Sequence, residues 1–285
     1  MANSKLNQLT EATDLVNTDL FLLEQNSTAK KLTWRSFLEK TLAALSGQSG
    51  ILKVSGRNLL DNPFFTVNQR GATAYTVGAY GADRWKLVSG SAKVTANGIT
   101  LNGTLRQILE QKPEGEVTAS VKMYSGTGSA AYDSTNGYFD ITSSGGTVRA
   151  AKLEAGSVST LENDQAPNYA EELLKCQRYY LAVNALGGGT IMGVGPATNA
   201  TMIRILIPTP VPMRVKKPAV DCPEYTDFTA YGNGTSTANV TKFEAVNTSN
   251  SGVTINCTMD SGVTQNQIYT VHNKNAKYFA LNADL

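Results

Sequence analysis

The N-terminal stretch sets two apolar spacings side by side. Leu20-Phe21-Leu22-Leu23 is a short continuous run of strand type, and Gln25-Asn26-Ser27-Thr28 supplies turn residues after it. Beyond Lys30-Lys31-Leu32, the residues Trp34, Phe37, Leu38, Leu42 and Leu45 recur at helical spacing, with Thr33 as the N-cap and Gly47 as the stop. Such a helix has about 12 residues and one apolar stripe, too short for a self-sufficient coiled coil. The stripe has to pack on its own strand, on a symmetry mate or on a docking partner.

Gly47-Gln48-Ser49-Gly50 reads as a linker, and strand patterns follow. Val117, Ala119, Val121 and Met123 alternate with polar residues. Asn97-Gly98, Asn102-Gly103, Asn136-Gly137 and Ser144-Gly145-Gly146 are turn signals, because a tight hairpin turn needs positive φ at its centre. A second helix is expected over 168–181, opened by Asn168 with Glu171 at the third helical position and carrying Leu173, Leu174 and Tyr180 inward. Ile203, Ile205 and Ile207 alternate before a stiff stretch with Pro208, Pro210 and Pro212. Val253, Ile255, Cys257 and Met259 mark another strand face, 268–271 a further strand, and Tyr278-Phe279-Ala280-Leu281 a terminal one. The expected fold is mainly β: an attachment segment over 1–50, a β-sandwich over 51–165, and a short helix plus a C-terminal β domain over 166–285, the sandwiches being jelly-roll-like.

Composition narrows the function. Charged residues are only 17% of the chain, and 25 basic residues nearly balance 23 acidic ones for a net charge of +2. No basic face is indicated, so nucleic acid is not an expected partner. No apolar run approaches the roughly 20 residues of a membrane span, and no signal peptide is expected. Cys176, Cys222 and Cys257 fit no zinc or redox spacing, which suits a reducing cytoplasm and no metal or other cofactor.

Catalytic signals are thin. His272 is the one histidine and follows Ile268 and Thr270 at strand period, which suits a structural role. Glycoside hydrolysis needs two carboxylates, and nothing in the sequence pairs any two of Asp133, Asp140, Glu154, Asp221, Glu224 and Asp227. Binding is the better-supported class. Sugars are held by aromatic planes beside polar side chains. Tyr75, Tyr80 and Trp85 with Asp83 and Arg84 supply that combination, although core and interface packing is the favoured reading of the same residues, and Tyr124, Tyr132 and Tyr138 are further candidates.

Three stretches resemble bacteriophage structural proteins. Residues 5–13, 18–25 and 28–32, with "LNQLTEAT", "TDLFLLEQ" and "TAKKL", resemble the N-terminal docking segment of tail-fibre and spike-like proteins. Gly56-Arg57-Asn58-Leu59-Leu60-Asp61-Asn62-Pro63-Phe64-Phe65 with Asp83-Arg84-Trp85 is similar to a carbohydrate-binding-module-like β-sandwich of phage proteins. Lys152-Leu153-Glu154-Ala155-Gly156 with 171–180 looks like the segment that closes that module. The resemblance implies a non-enzymatic fibre or spike subunit of the virion, homotrimeric and docked on other virion proteins. It implies that Leu20, Leu22, Trp34, Phe37, Leu38 and Leu42 serve attachment and oligomerisation, and that the β-domains face a host-surface glycan. A head-decorating fibre with weak adhesion and a glycan-cleaving depolymerase are the alternatives.

Overall fold

The computed structural model describes residues 20–25, 28–33, 37, 41, 56–183, 190–232, 235–274 and 278–284. It divides into two compact units, Met1–Ser55 and Gly56–Leu285. The protein is mainly β, with 52% of it in strands. In the first unit β1 (Leu20–Gln25) pairs antiparallel with β2 (Thr28–Thr33), Leu20 opposite Thr33 and Leu22 opposite Lys31. Phe37 is helical and exposed; Trp34, Leu38 and Leu42 lie outside the described residues.

The second unit opens with an irregular segment, 56–85, and an antiparallel sheet. Its strands are β3 (Lys86–Thr95), β4 (Gly98–Ile108), β5 (Val117–Ser125), β6 (Gly128–Asp133) and β7 (Tyr138–Ala155). The order is β3-β4-β7, and the far edge of β7 is shared by β6 along its first part and β5 along its second. Trp85, Leu87, Ile99, Leu101, Leu105, Phe139, Ile141 and Leu153 fill the core between sheet and segment, joined by Leu60 and Phe65.

Two of the four glycine turn signals make turns: Asn97-Gly98 joins β3 to β4, and Asn136-Gly137 joins β6 to β7. The others sit inside strands. Gly103 pairs with Gly90 across the β3–β4 ladder, both at positive φ, and Gly145 is the extra residue of a bulge in β7. A Cβ on Gly90 would come within 1.9 Å of the Asn102 carbonyl oxygen, so the close approach of two backbones, rather than a turn, demands glycine there.

Helix α1 (Tyr169–Gln177) is shorter than the expected 168–181. The Asn168 side chain caps it by accepting from Ala170 N. Its buried residues are Glu172 and Cys176, while Leu174 is exposed and Tyr180 belongs to the next strand. The inward leucine face is therefore replaced by a carboxylate, for which the amide of Asn62 is waiting at 2.7 Å.

The remaining chain makes β8 (Tyr180–Ala182), β9 (Thr190–Asn199), β10 (Met202–Pro208), β11 (Ala219–Asp221), β12 (Phe228–Gly232), β13 (Thr235–Thr248), β14 (Gly252–Met259), β15 (Ile268–Asn273) and β16 (Ala280–Asn282). Six of them close an antiparallel barrel in the order β10-β14-β13-β12-β15-β9. The expected alternations point inward: Ile203, Ile205 and Ile207 on β10 face Val253, Ile255 and Cys257 on β14. Phe228, Phe243 and Phe279 meet edge to face at 5.0–5.8 Å in the same core. Closure leaves these strands without free edges. Outside the barrel β11, β16 and β8 form a three-stranded sheet.

Candidate functional site

Segment 56–85 has almost no regular structure, so its buried polar groups need side-chain partners. Asn62 supplies them. Its Nδ2 donates to the carbonyls of Val67 and Asp83, and its Oδ1 accepts from Val67 N. Its own carbonyl accepts from the Trp85 indole and from Phe65 N. This hub fixes the loop that carries Gln69, Arg70, Tyr80 and Asp83 toward the C-terminal half.

There the loop meets the three-stranded sheet. The Arg70 guanidinium lies 3.6 Å from the centre of the Tyr180 ring and 5.4 Å from that of Tyr80. It is ion-paired with Asp284 and with Asp83, the latter at 3.5 Å. Gln69 Nε2 donates to Asp83 at 2.5 Å and to the Tyr180 carbonyl at 2.6 Å, while Gln69 Oε1 accepts from Ala182 N. Because Asp221 on β11 is in register with Ala280 on β16, and Ala280 with Ala182 on β8, the sheet brings Asp221 between two tyrosines. The hydroxyls of Tyr278 and Tyr180 reach its two carboxylate oxygens at 3.3 and 3.5 Å.

The result is an open pocket of about 350 Å3 lined by Gln69, Arg70, Gly71, Tyr180, Asp221 and Tyr278. Tyr278 is 47% exposed, so one ring face is available to a ligand. Burial pushes the Tyr180 phenol above its ordinary range. Burial also raises the Asp83 carboxyl to about 6, against the lowering effects of Gln69 and Arg70. The pocket thus combines aromatic walls, a carboxylate acceptor and a guanidinium, which suits a hydroxylated ligand with an apolar face.

Of the residues singled out in the sequence, Tyr80 and Asp83 lie beside this pocket, against Arg70. Trp85 is fully buried between Phe65 and Phe139, leaving no free face for a sugar. Tyr75 is buried, its hydroxyl accepting from Ala82 N. Arg84 is buried on the other side of the loop, against Asp61 and Tyr179. Tyr124 is exposed at the end of β5. Tyr132 packs on the sheet core, and Tyr138 lies under Arg106, which is held by Asp140. Arg70, Tyr180 and Tyr278 were not anticipated as site residues; Asp221 was weighed only as one of several acids.

Elsewhere, His272 shares a 2.7 Å hydrogen bond with Thr270 and packs on the Tyr231 ring, a structural setting. All three cysteines are free, and burial raises the thiols of Cys176 and Cys257. Among the described residues no three His, Cys, Asp or Glu side chains are grouped to hold a metal, and no helix is long and apolar enough to cross a membrane. The chain matches no protein-family model, no curated protein and no solved structure.

Proposed function

We propose that the chain is a bacteriophage virion structural protein, a fibre or spike subunit that docks by residues 1–50 and adheres to a host-surface glycan. The observation that carries the adhesive part is the pocket of Tyr180, Tyr278, Asp221 and Arg70. Homotrimeric assembly and location on the virion belong to the same reading and rest on the sequence resemblance, and jelly-roll-like β-sandwich domains rest on the regular turn spacing. The head-decorating fibre differs from it in particle position and in weaker adhesion.

Binding is favoured over cleavage by the way carboxylates are used. Among the described residues Asp221 is the one carboxylate lining the tyrosine pocket, whereas glycoside hydrolysis takes a pair. Asp61 and Glu110 do share another cleft, but Asp61 accepts from Arg84, and Glu110 accepts from Arg178 and Tyr179. Both Glu110 oxygens are occupied in this way and are poorly placed to move a substrate proton, which leaves Asp61 without a second carboxylate to work with.

The test is a host-glycan array probed with the purified chain, beside Tyr278→Ala and Asp221→Ala. Loss of at least tenfold in affinity for both variants, with no new reducing ends released, is expected. Unchanged binding by both would refute the pocket, and new reducing ends would favour the depolymerase. Particles assembled with a chain lacking residues 1–50 are expected to lack it.

A further inference from the structure

On the far side of Tyr179 lies a second cleft, of about 490 Å3. Arg57, Arg84, Lys112, Lys175 and Arg178 line it, against the two carboxylates Asp61 and Glu110, so its walls carry a formal charge of +3. Glu110 is consumed by Arg178 at 2.6 and 3.0 Å, and Asp61 receives Arg84 Nε at 3.2 Å. Lys175 is paired with Glu172, which is buried beneath the helix. Lys112 donates to the neutral carbonyl of Thr135, and Arg57 is exposed on the rim. The surplus positive charge therefore sits on the two exposed cations, Arg57 and Lys112.

The floor is fixed before any ligand arrives. Gln107 makes two hydrogen bonds to the Asp61 backbone, at 2.7 and 2.8 Å. Arg84 is 1% exposed and held at φ +73°, its Nη2 donating to the Ile108 carbonyl and its plane stacked 3.4 Å from the Tyr179 ring centre. Its Nη1 is buried and has no hydrogen-bond partner among the described residues. The guanidinium is thus a fixed positive charge in the cleft wall, and a fixed cation of that kind favours an anion in the space beside it.

We propose that this cleft binds a small oxyanion carried on a saccharide, a sugar carboxylate or a sugar phosphate, with Arg57 and Lys112 closing on it over the fixed charge of Arg84. The volume falls within the range of small-ligand sites, and two guanidinium forks beside one ammonium suit either group. The proposal is independent of the tyrosine pocket.

Calorimetric titration of the full chain with glucuronate, glucose 6-phosphate and inorganic phosphate tests it, with glucose as the neutral control. At least one of the two charged sugars is expected to bind, more weakly as salt rises, while glucose does not compete for the site. Their ratio tells carboxylate from phosphate. The double variant Arg57→Gln, Lys112→Gln should weaken binding about tenfold or more, and Tyr278→Ala should leave it unchanged; both changes are at exposed positions, so folding is retained. Failure of both charged sugars to bind, binding that ignores the double variant, or equal binding of glucose would overturn the proposal. Loss of binding in Tyr278→Ala would also overturn it, by moving the anion to the other pocket.

Discussion

Replacing Asn62 by alanine removes three side-chain hydrogen bonds from a residue that is 0% exposed. The Val67 carbonyl keeps its bond from Asp83 N, but Val67 N and the Asp83 carbonyl each lose the Asn62 atom they face. An orphaned buried group costs about 1–3 kcal/mol, so two of them cost roughly 2–6 kcal/mol. Asn62 also sits at φ +50°, where a residue without a local polar side chain adds about 1 kcal/mol. Asn62→Ala should therefore lose roughly 4 kcal/mol, a large share of the 5–15 kcal/mol typical of a domain. Asn62→Asp keeps the acceptor for Val67 N but turns a carboxylate oxygen toward two carbonyls at 2.8 and 2.9 Å, and so should be the worse variant at pH 7. Its carboxyl would be held protonated in the fold, so this variant should recover stability as pH falls toward 4, which Asn62→Ala should not. Urea unfolding followed by Trp85 fluorescence, in a Trp34→Phe background, reads both effects. An Asn62→Ala protein within 0.5 kcal/mol of the parent, or an Asn62→Asp protein whose deficit does not change with pH, would refute the reasoning.

Asp83 makes a pH prediction of definite sign: with its carboxyl raised from 3.8 to about 6 in the fold, the folded chain holds a proton that the unfolded chain has released between those values. Its contribution is full below about pH 4 and is lost as pH rises through 6, a fall of about 3 kcal/mol. Asp83→Asn should flatten that part of the urea-midpoint profile, and parallel profiles would count against it. Gly90→Ala should cost about 3 kcal/mol or more, since its Cβ meets the Asn102 carbonyl at 1.9 Å, whereas Gly71→Ala, with nothing within 4 Å, should cost only about 1 kcal/mol for its positive φ. Phe243→Ala should cost about 3–5 kcal/mol by opening the phenylalanine cluster, measured as a lowered midpoint of barrel unfolding.

What the sequence made legible was governed by short range. Alternation at 203–207 and 253–259 identified strands because period two is written within one strand. It could not announce a closed barrel, since closure depends on β9 meeting β15 and β10 meeting β14, contacts set by register over long separations. Asn102-Gly103 and Asn97-Gly98 look alike as dipeptides, yet only the second is a turn. What distinguishes the first is Gly90 on the neighbouring strand. Helix α1 was found from its cap, but the inward position went to Glu172, because a buried carboxylate is acceptable only where a distant amide, that of Asn62, meets it.

The same limit explains the site. Tyr80 and Asp83 were visible as an aromatic beside an acid, but Arg70, Tyr180, Asp221 and Tyr278 come from four separate stretches joined by the β11-β16-β8 sheet. The dipeptide Tyr179-Tyr180 is where the two clefts divide. Tyr179, in the turn that follows α1, stacks on Arg84, whereas Tyr180, the first residue of β8, stacks on Arg70. Each arginine is then held by a carboxylate from its own side, Asp61 for one and Asp83 with Asp284 for the other. Two clefts divided at adjacent residues imply that substitutions beyond Tyr179 should alter anion binding alone, and those beyond Tyr180 should alter glycan binding alone. A variant of either rim that changed both would mean the clefts are one site.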